Sequence, residues 1–207
     1  SWDVELNQRI GVLVGGEAIR MSVDMVLAPN INLARSPLAG RAFEYFSEEP
    51  LLAGILGAAW ATGLQTTGTA SVAKHLVCND SETDRDSMNA VVDERTLREI
   101  YLLPFELCAD AGVGGMLVAY NHLNGDWCAE QHHVMTTIVK GEWRFPGVLM
   151  SDWFGTHSTV ATLNAGLDLE MPGPARFLGA KAVEAVAQGH ISADRVTDAA
   201  SRVARAR

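Results

Sequence analysis

Short, almost unbroken apolar runs recur along this chain with longer amphipathic stretches between them. That alternation limits the folds open to it more than any other feature. The runs are residues 25–28 (MVLA), 71–76 (SVAKHL), 115–120 (GMLVAY), 147–151 (GVLMS) and 167–171 (LDLEM). Stretches 49–66, 93–111, 131–142, 158–165 and 176–188 read as helices, and 1–21 as a helix ahead of the first run. Acidic residues at Asp93 and Glu94 suit a first helical turn, and Pro104 predicts a kink or break in the same helix. Gly189 reads as a helix stop and Ser192 or Asp194 as the cap of a last helix. Strands apolar on both faces, joined by helices, imply a parallel sheet covered on each side.

An open doubly wound sheet and a closed barrel both satisfy that pattern, and the polar residues separate them. Each run ends by delivering polar groups: Asn30, Lys74-His75, Tyr120-Asn121, Ser151-Asp152 and Glu170. Convergence of several strand carboxyl ends on one place is the barrel arrangement. A doubly wound sheet concentrates its chemistry at one crevice, usually with a Gly-rich phosphate loop, and neither GxGxxG nor GxxxxGK[ST] occurs here. The expected fold is therefore α/β: an incomplete (β/α)8 TIM-like barrel of parallel strands with covering helices. Five runs are too few for closure, and helix 1–21 has no strand before it, so residues 1–207 read as one partial barrel domain lacking its first strand.

Composition narrows the partners. With 48% hydrophobic and 20% charged residues the chain can bury a substantial core. Sixteen Lys and Arg against 25 Asp and Glu give a formal net charge of −9, which argues against nucleic acid or an anionic membrane as the main partner. No apolar run approaches the about 20 residues of a membrane span. The N-terminus lacks a signal-peptide layout, although it begins without Met and so reads as processed or cut. Cys78, Cys108 and Cys128 stand at wide spacing and read as buried free thiols, which favours a reducing, cytoplasmic setting.

Several residues could carry chemistry. Asp152 emerges from a buried strand beside Trp153, an arrangement that suits a sugar, with helix capping as the plain alternative. Lys74 and His75 end an otherwise apolar strand, where unpaired charge is costly; a structural hydrogen bond is the alternative for His75. Arg41 and Glu44 lie in the long loop 29–46, whose length suggests function. Arg85 falls in segment 80–106, with eight acids against three arginines, where a solvated salt-bridged surface is the simpler reading. Asp168 and Glu170 share a face, pointing into a lumen or toward a basic group. Neither an HxH, HExxH or paired-Cys pattern nor a GxSxG elbow is present, so metal and serine chemistry have no motif support.

The ordered strings APNINLARSPLAGRAFEYFSEEP, SVAKHLVCNDSETDR, LVAYNHLNG, GVLMSDWFGT and GLDLEMPGP resemble glycoside hydrolase family 3, and most of all its β-glucosidase branch. The resemblance implies a retaining hydrolase that releases terminal non-reducing β-D-glucose, needs no cofactor or metal, and works through a covalent glycosyl-aspartate. It implies that Asp152 of SDW is the nucleophile. It assigns sugar binding to Arg41 of the GRxFE motif, to Lys74 and His75, and to the arginine ten residues beyond that histidine, Arg85. Tyr120 would lie near the nucleophile and Trp153 would wall the pocket.

Two family features find no match here: a DGP-type segment whose aspartate grips the sugar, and the glutamate acid/base carried by a downstream α/β-sandwich domain. The missing barrel segment and that second domain are accordingly expected as partners within one polypeptide, and the isolated chain is expected to be inactive. KHLVCNDSETDR also replaces the KHFPGHG-like loop of N-acetylglucosaminidase members, so His75 is not read as an acid/base. A non-catalytic sugar-binding remnant, or the same fold acting on xylosides or N-acetylglucosaminides, are the other readings.

Overall fold

A computed structural model describes residues 2–206. Its first helix, α1 (Val4–Arg20), is capped by Asp3, whose carboxylate accepts from the Leu6 N–H at 2.9 Å. Strand β1 (Met25–Val26) and an irregular loop lead to α2 (Pro50–Gln65), where Glu49 accepts from the Leu51 and Leu52 amides and Pro50 occupies a first-turn position that needs no donor. After α2 come β2 (Ala70–Leu76), β3 (Asn89–Ala90), α3 (Glu94–Thr96), a π-helical segment Leu97–Leu102, and α4 (Leu103–Asp110). The chain continues through β4 (Gly115–Val118), β5 (His122–Leu123), β6 (Asp126–Trp127), a second π-helical segment His133–Glu142, and β7 (Val148–Ser151). Helices α5 (Val160–Ala165), α6 (Ala180–Ala187) and α7 (Ala193–Arg205) complete it.

Strands β1, β2, β4 and β7 form one parallel sheet in that spatial order. Alternation along these strands builds two apolar layers. Val72, Leu117, Val148 and Met150 pack together in one, while Ala73, Met116 and Leu149 join the larger core under the helices. The fifth apolar run contributes only a single bridge, Leu169 against Met150, because Asp168 and Leu169 both donate to the Leu149 carbonyl. The parallel β/α architecture expected from the sequence is present.

Some elements differ from the sequence pattern. The irregularity expected at Pro104 takes the form of a change in helix type: π-helical Leu97–Leu102 ends and α4 begins at Leu103, with Pro104 in its first turn, where no donor is needed. Helix α6 begins at Ala180 because 172–178 wraps around Glu170. Ser192, not Asp194, caps α7, accepting from the Arg195 N–H at 3.1 Å. A small second sheet, β3–β5–β6, was not anticipated. Its signal was the Asn124-Gly125 pair, both at positive φ (52° and 103°), which turns β5 back antiparallel into β6.

Helices α1 and α2 touch through glycines. A Cβ on Gly63 would stand 1.9 Å from the Gln8 carbonyl oxygen, and one on Gly11 would stand 2.1 Å from that of Trp60. Gly16 of α1 faces open space. Gly63→Ala should therefore force the helices apart and cost about 1–3 kcal/mol, whereas Gly16→Ala should stabilise by up to about 1 kcal/mol through helix propensity. Chemical denaturation of the two variants beside the parent checks both signs.

Candidate active site

The carboxyl ends of β2, β4 and β7 and the loop after β1 meet at one place. Asp152 follows β7 directly, and its backbone N–H donates to the Val118 carbonyl of β4 at 3.1 Å, which fixes its position. The side chain is largely buried. Its Oδ1 accepts from the Trp153 amide at 2.7 Å, and its Oδ2 lies 3.6 Å from His75 Nε2. Helix α5 starts only at Val160 with no side-chain cap, so Asp152 is not a helix-capping residue.

Lys74 and His75 reach the same place because β2 is irregular there. Lys74 pairs with Leu117 and Leu76 with Val118, so His75 is the extra residue of a bulge. Successive side chains that a regular strand would send to opposite faces both approach the Arg41–Glu44 pair. The bulge also binds the preceding loop: Asn30 bridges to Lys74, and the Ile31 N–H donates to the Lys74 carbonyl at 2.9 Å.

Arg41 grips Glu44 in a fork, Nε to Oε1 and a terminal nitrogen to Oε2, each at 2.8 Å. Its other terminal nitrogen donates to His75 Nε2 at 2.9 Å. Asn30 donates to Glu44 Oε2 at 3.1 Å, and Lys74 Nζ stands 3.7 Å from the same oxygen. Burial resists ionisation of Glu44, but the bonds from Arg41 and Asn30 and the Lys74 charge outweigh it and bring its pKa to about 2. Burial lowers the Lys74 pKa, against the pull of Glu44. Burial, then the charges of Arg41 and Lys74, push His75 well below the ordinary imidazole range, so its ring is neutral.

Tyr120 leaves β4 beside Asp152, and burial followed by the Asp152 charge raises its phenol above its usual pKa. Arg85 lies over the Tyr120 ring at 4.8 Å while pairing with Glu82 at 2.7 Å. The salt-bridged reading of Arg85 is thus met by Glu82, while its guanidinium also lies against Tyr120. Arg85, Tyr120, Trp153, Phe154 and His157 line an open cleft of about 380 Å³. Trp153 and Phe154 are exposed at its rim. Behind it His157 stacks on Trp127 at 3.8 Å, and Trp127 contacts His122 at 3.5 Å.

Two acidic residues fall elsewhere. Asp168 is fully enclosed and pairs with Lys140 at 2.6 Å and with Arg195, while its other oxygen accepts from the Leu149 amide at 3.0 Å. Glu170 accepts from the Arg176, Phe177 and Leu178 amides at 3.0, 2.8 and 2.7 Å. Sequence reasoning missed Asn32, which binds His75 by both backbone and ring; an asparagine in a loop reads as a turn residue, and nothing local points to its partner 43 positions away.

The depressed Glu44 pKa fixes the sign of a pH effect. A carboxylate at about 2 when folded, against an ordinary 4.5, stabilises the fold fully above the higher value. That contribution disappears as pH falls toward the lower value. Glu44→Gln should accordingly be less stable than the parent at neutral pH, with the gap narrowing from about pH 4.5 to about pH 2. Unfolding free energies of the pair across that range measure it.

Residues 1–206 match the family described as Glycosyl hydrolase family 3 N terminal domain. A beta-glucosidase of Rhizobium radiobacter is 48% identical over 204 residues, covering 98% of this chain and 25% of that protein. The crystal structure of a beta-glucosidase from Kluyveromyces marxianus in complex with glucose superimposes with a TM-score of 0.94 at 40% identity, over 99% of this chain and 25% of that one. A family 3 beta-glucosidase of Bifidobacterium adolescentis gives a TM-score of 0.95 at 36% identity, over 100% and 30%. The chain thus spans about a quarter of the length of such relatives.

Proposed function

Because this chain belongs to glycosyl hydrolase family 3, we propose that it carries the nucleophile and much of the sugar-binding wall of a retaining β-glucosidase. Asp152 attacks the anomeric carbon, the glycosidic bond breaks, and glucose is held as an ester of the carboxylate. Water then attacks the same carbon, frees the sugar with net retention and regenerates the carboxylate. Departure of the aglycone needs a proton from a second carboxyl about 5–5.5 Å from the first, and that acid/base belongs to polypeptide outside residues 1–207.

The observation that carries this reading is the contrast among carboxylates. Glu44 is held by a guanidinium fork, Asp168 by two cations and Glu170 by three amides. Asp152 stands at the strand ends beside His75 and the exposed Trp153 ring, within electrostatic reach of Arg41 and Lys74. An attacking carboxylate needs such a place, at the strand ends and against an aromatic face. In this role Arg41, Lys74, His75 and Arg85 orient sugar hydroxyls, and those bonds tighten as the oxocarbenium-like charge develops. Tyr120 and Trp153 supply the ring surfaces against which apolar sugar faces lie.

In the complete polypeptide, Asp152→Gly should lower turnover of an aryl β-glucoside by roughly 10⁴-fold or more. Azide should restore part of it by forming an α-glucosyl azide. A 2-deoxy-2-fluoro glucoside should label Asp152 in the parent, seen by peptide mass. Wild-type turnover in the variant would overturn the assignment, and the absence of any adduct would favour a binding remnant.

A further inference from the structure

His75 has one proton to share between two ring nitrogens, and its neighbours leave only one arrangement. Arg41 is 2.9 Å from Nε2, and a guanidinium donates but never accepts, so Nε2 must offer its lone pair. On the opposite side Nδ1 is 3.1 Å from Asn32 Oδ1. The orientation of that amide is itself settled by groups with a single role. The His75 backbone N–H donates to Asn32 Oδ1 at 2.9 Å, and Asn32 Nδ2 donates to the His75 carbonyl at 3.0 Å. Exchanging the amide's oxygen and nitrogen would set donor against donor and acceptor against acceptor. Asn32 is itself buried, and its own N–H donates to Asn30 Oδ1 at 3.2 Å, which ties it into the loop carrying Glu44.

We infer that Asn32 is a positioning residue of the active site: it holds His75 as the neutral tautomer protonated on Nδ1, so that Nε2 faces Arg41 and Asp152 only as an acceptor. The burial of the imidazole among cations agrees, since it disfavours a second proton. Three consequences follow for chemistry. His75 gives no hydrogen bond to the Asp152 oxygen 3.6 Å away, so it does not drain charge from that carboxylate. It cannot serve as a proton source for a leaving group. A ligand group set against Nε2 must donate, as a hydroxyl does and an ether or fluoro group does not. The last point rests on the glycosidase reading; the tautomer does not.

The test separates the two. In protein labelled with ¹⁵N-histidine, with the His75 signals identified by their loss in His75→Gln, Nδ1 should show a pyrrole-type shift and Nε2 a pyridine-type shift at neutral pH. The reverse pattern, or a doubly protonated ring, overturns the inference whatever the enzyme does. Asn32→Ala should shift His75 toward the Nε2-protonated form. In the complete polypeptide, kcat/KM for a β-glucoside should fall roughly 10- to 100-fold. Asn32→Asp, which keeps the oxygen acceptor and loses the amide donor, should retain the Nδ1 proton and recover most of that loss. An unchanged tautomer in Asn32→Ala overturns the role of Asn32. Should that variant not fold, an Nε2-protonated ring in Asn32→Asp does so. If the tautomers behave as stated but no variant or parent cleaves a glycoside, the catalytic reading fails and the positioning role stands.

Discussion

Ionisable groups at the ends of buried strands survive only if each finds a partner, because an uncompensated charge in a low-dielectric interior costs several kcal/mol. In this chain the fork between Arg41 and Glu44 meets that requirement for a whole cluster. It is supplied by the loop after β1, yet it neutralises groups from β2 and lies within electrostatic reach of the carboxylate after β7. The loop in turn is closed by the Ala34 amide bonding to Ser47 and is sewn to β2 through Asn30, Ile31 and Lys74. Charge balance and loop order are therefore one problem with one solution.

The same principle sorts the acidic residues by their donors. Two cations and an amide make Asp168 a fastener between the second π-helical segment, β7 and α7. Three consecutive amides make Glu170 the organiser of a turn. A bidentate guanidinium helps hold the Glu44 carboxyl well below the usual carboxylate range. Asp152, last of the four, accepts from the Trp153 amide and meets the Tyr120 hydroxyl, with no cation among the described residues bound directly to either oxygen. Burial alone does not distinguish them; what each oxygen accepts does.

Much of this was legible in the residues. The parallel β/α order follows from apolar runs at their spacing, and strand-end polarity drew attention to Asp152, Lys74 and His75. What escaped shares a physical character. The two-strand turn at Asn124-Gly125 is short, and its strands, His122–Leu123 and Asp126–Trp127, are too brief to show alternation. The fifth run looked like a strand by composition but kept one bridge, since its polar residues turned to Lys140, Arg195 and the loop beyond. Asn32 was invisible because its importance lies in three bonds to a residue 43 positions later, and pattern carries no information about pairing at that range. The bulge at His75 depends likewise on register against β4 rather than on anything in SVAKHL itself.

The turn gathered by Glu170 has a bearing on how such a pocket diversifies. Arg176, on that turn, lies 4.8 Å over the Phe154 ring and donates to the Phe154 carbonyl, so one side of the mouth is held by the turn that Glu170 gathers, with Thr159 also donating to the Phe177 carbonyl. A segment fastened by a few side chains, and not by strand pairing, can be exchanged for another of different length or bulk while the strands beneath keep their pairing. Variation at the rim and constancy at the strand ends are thereby housed in separately replaceable parts of the same chain.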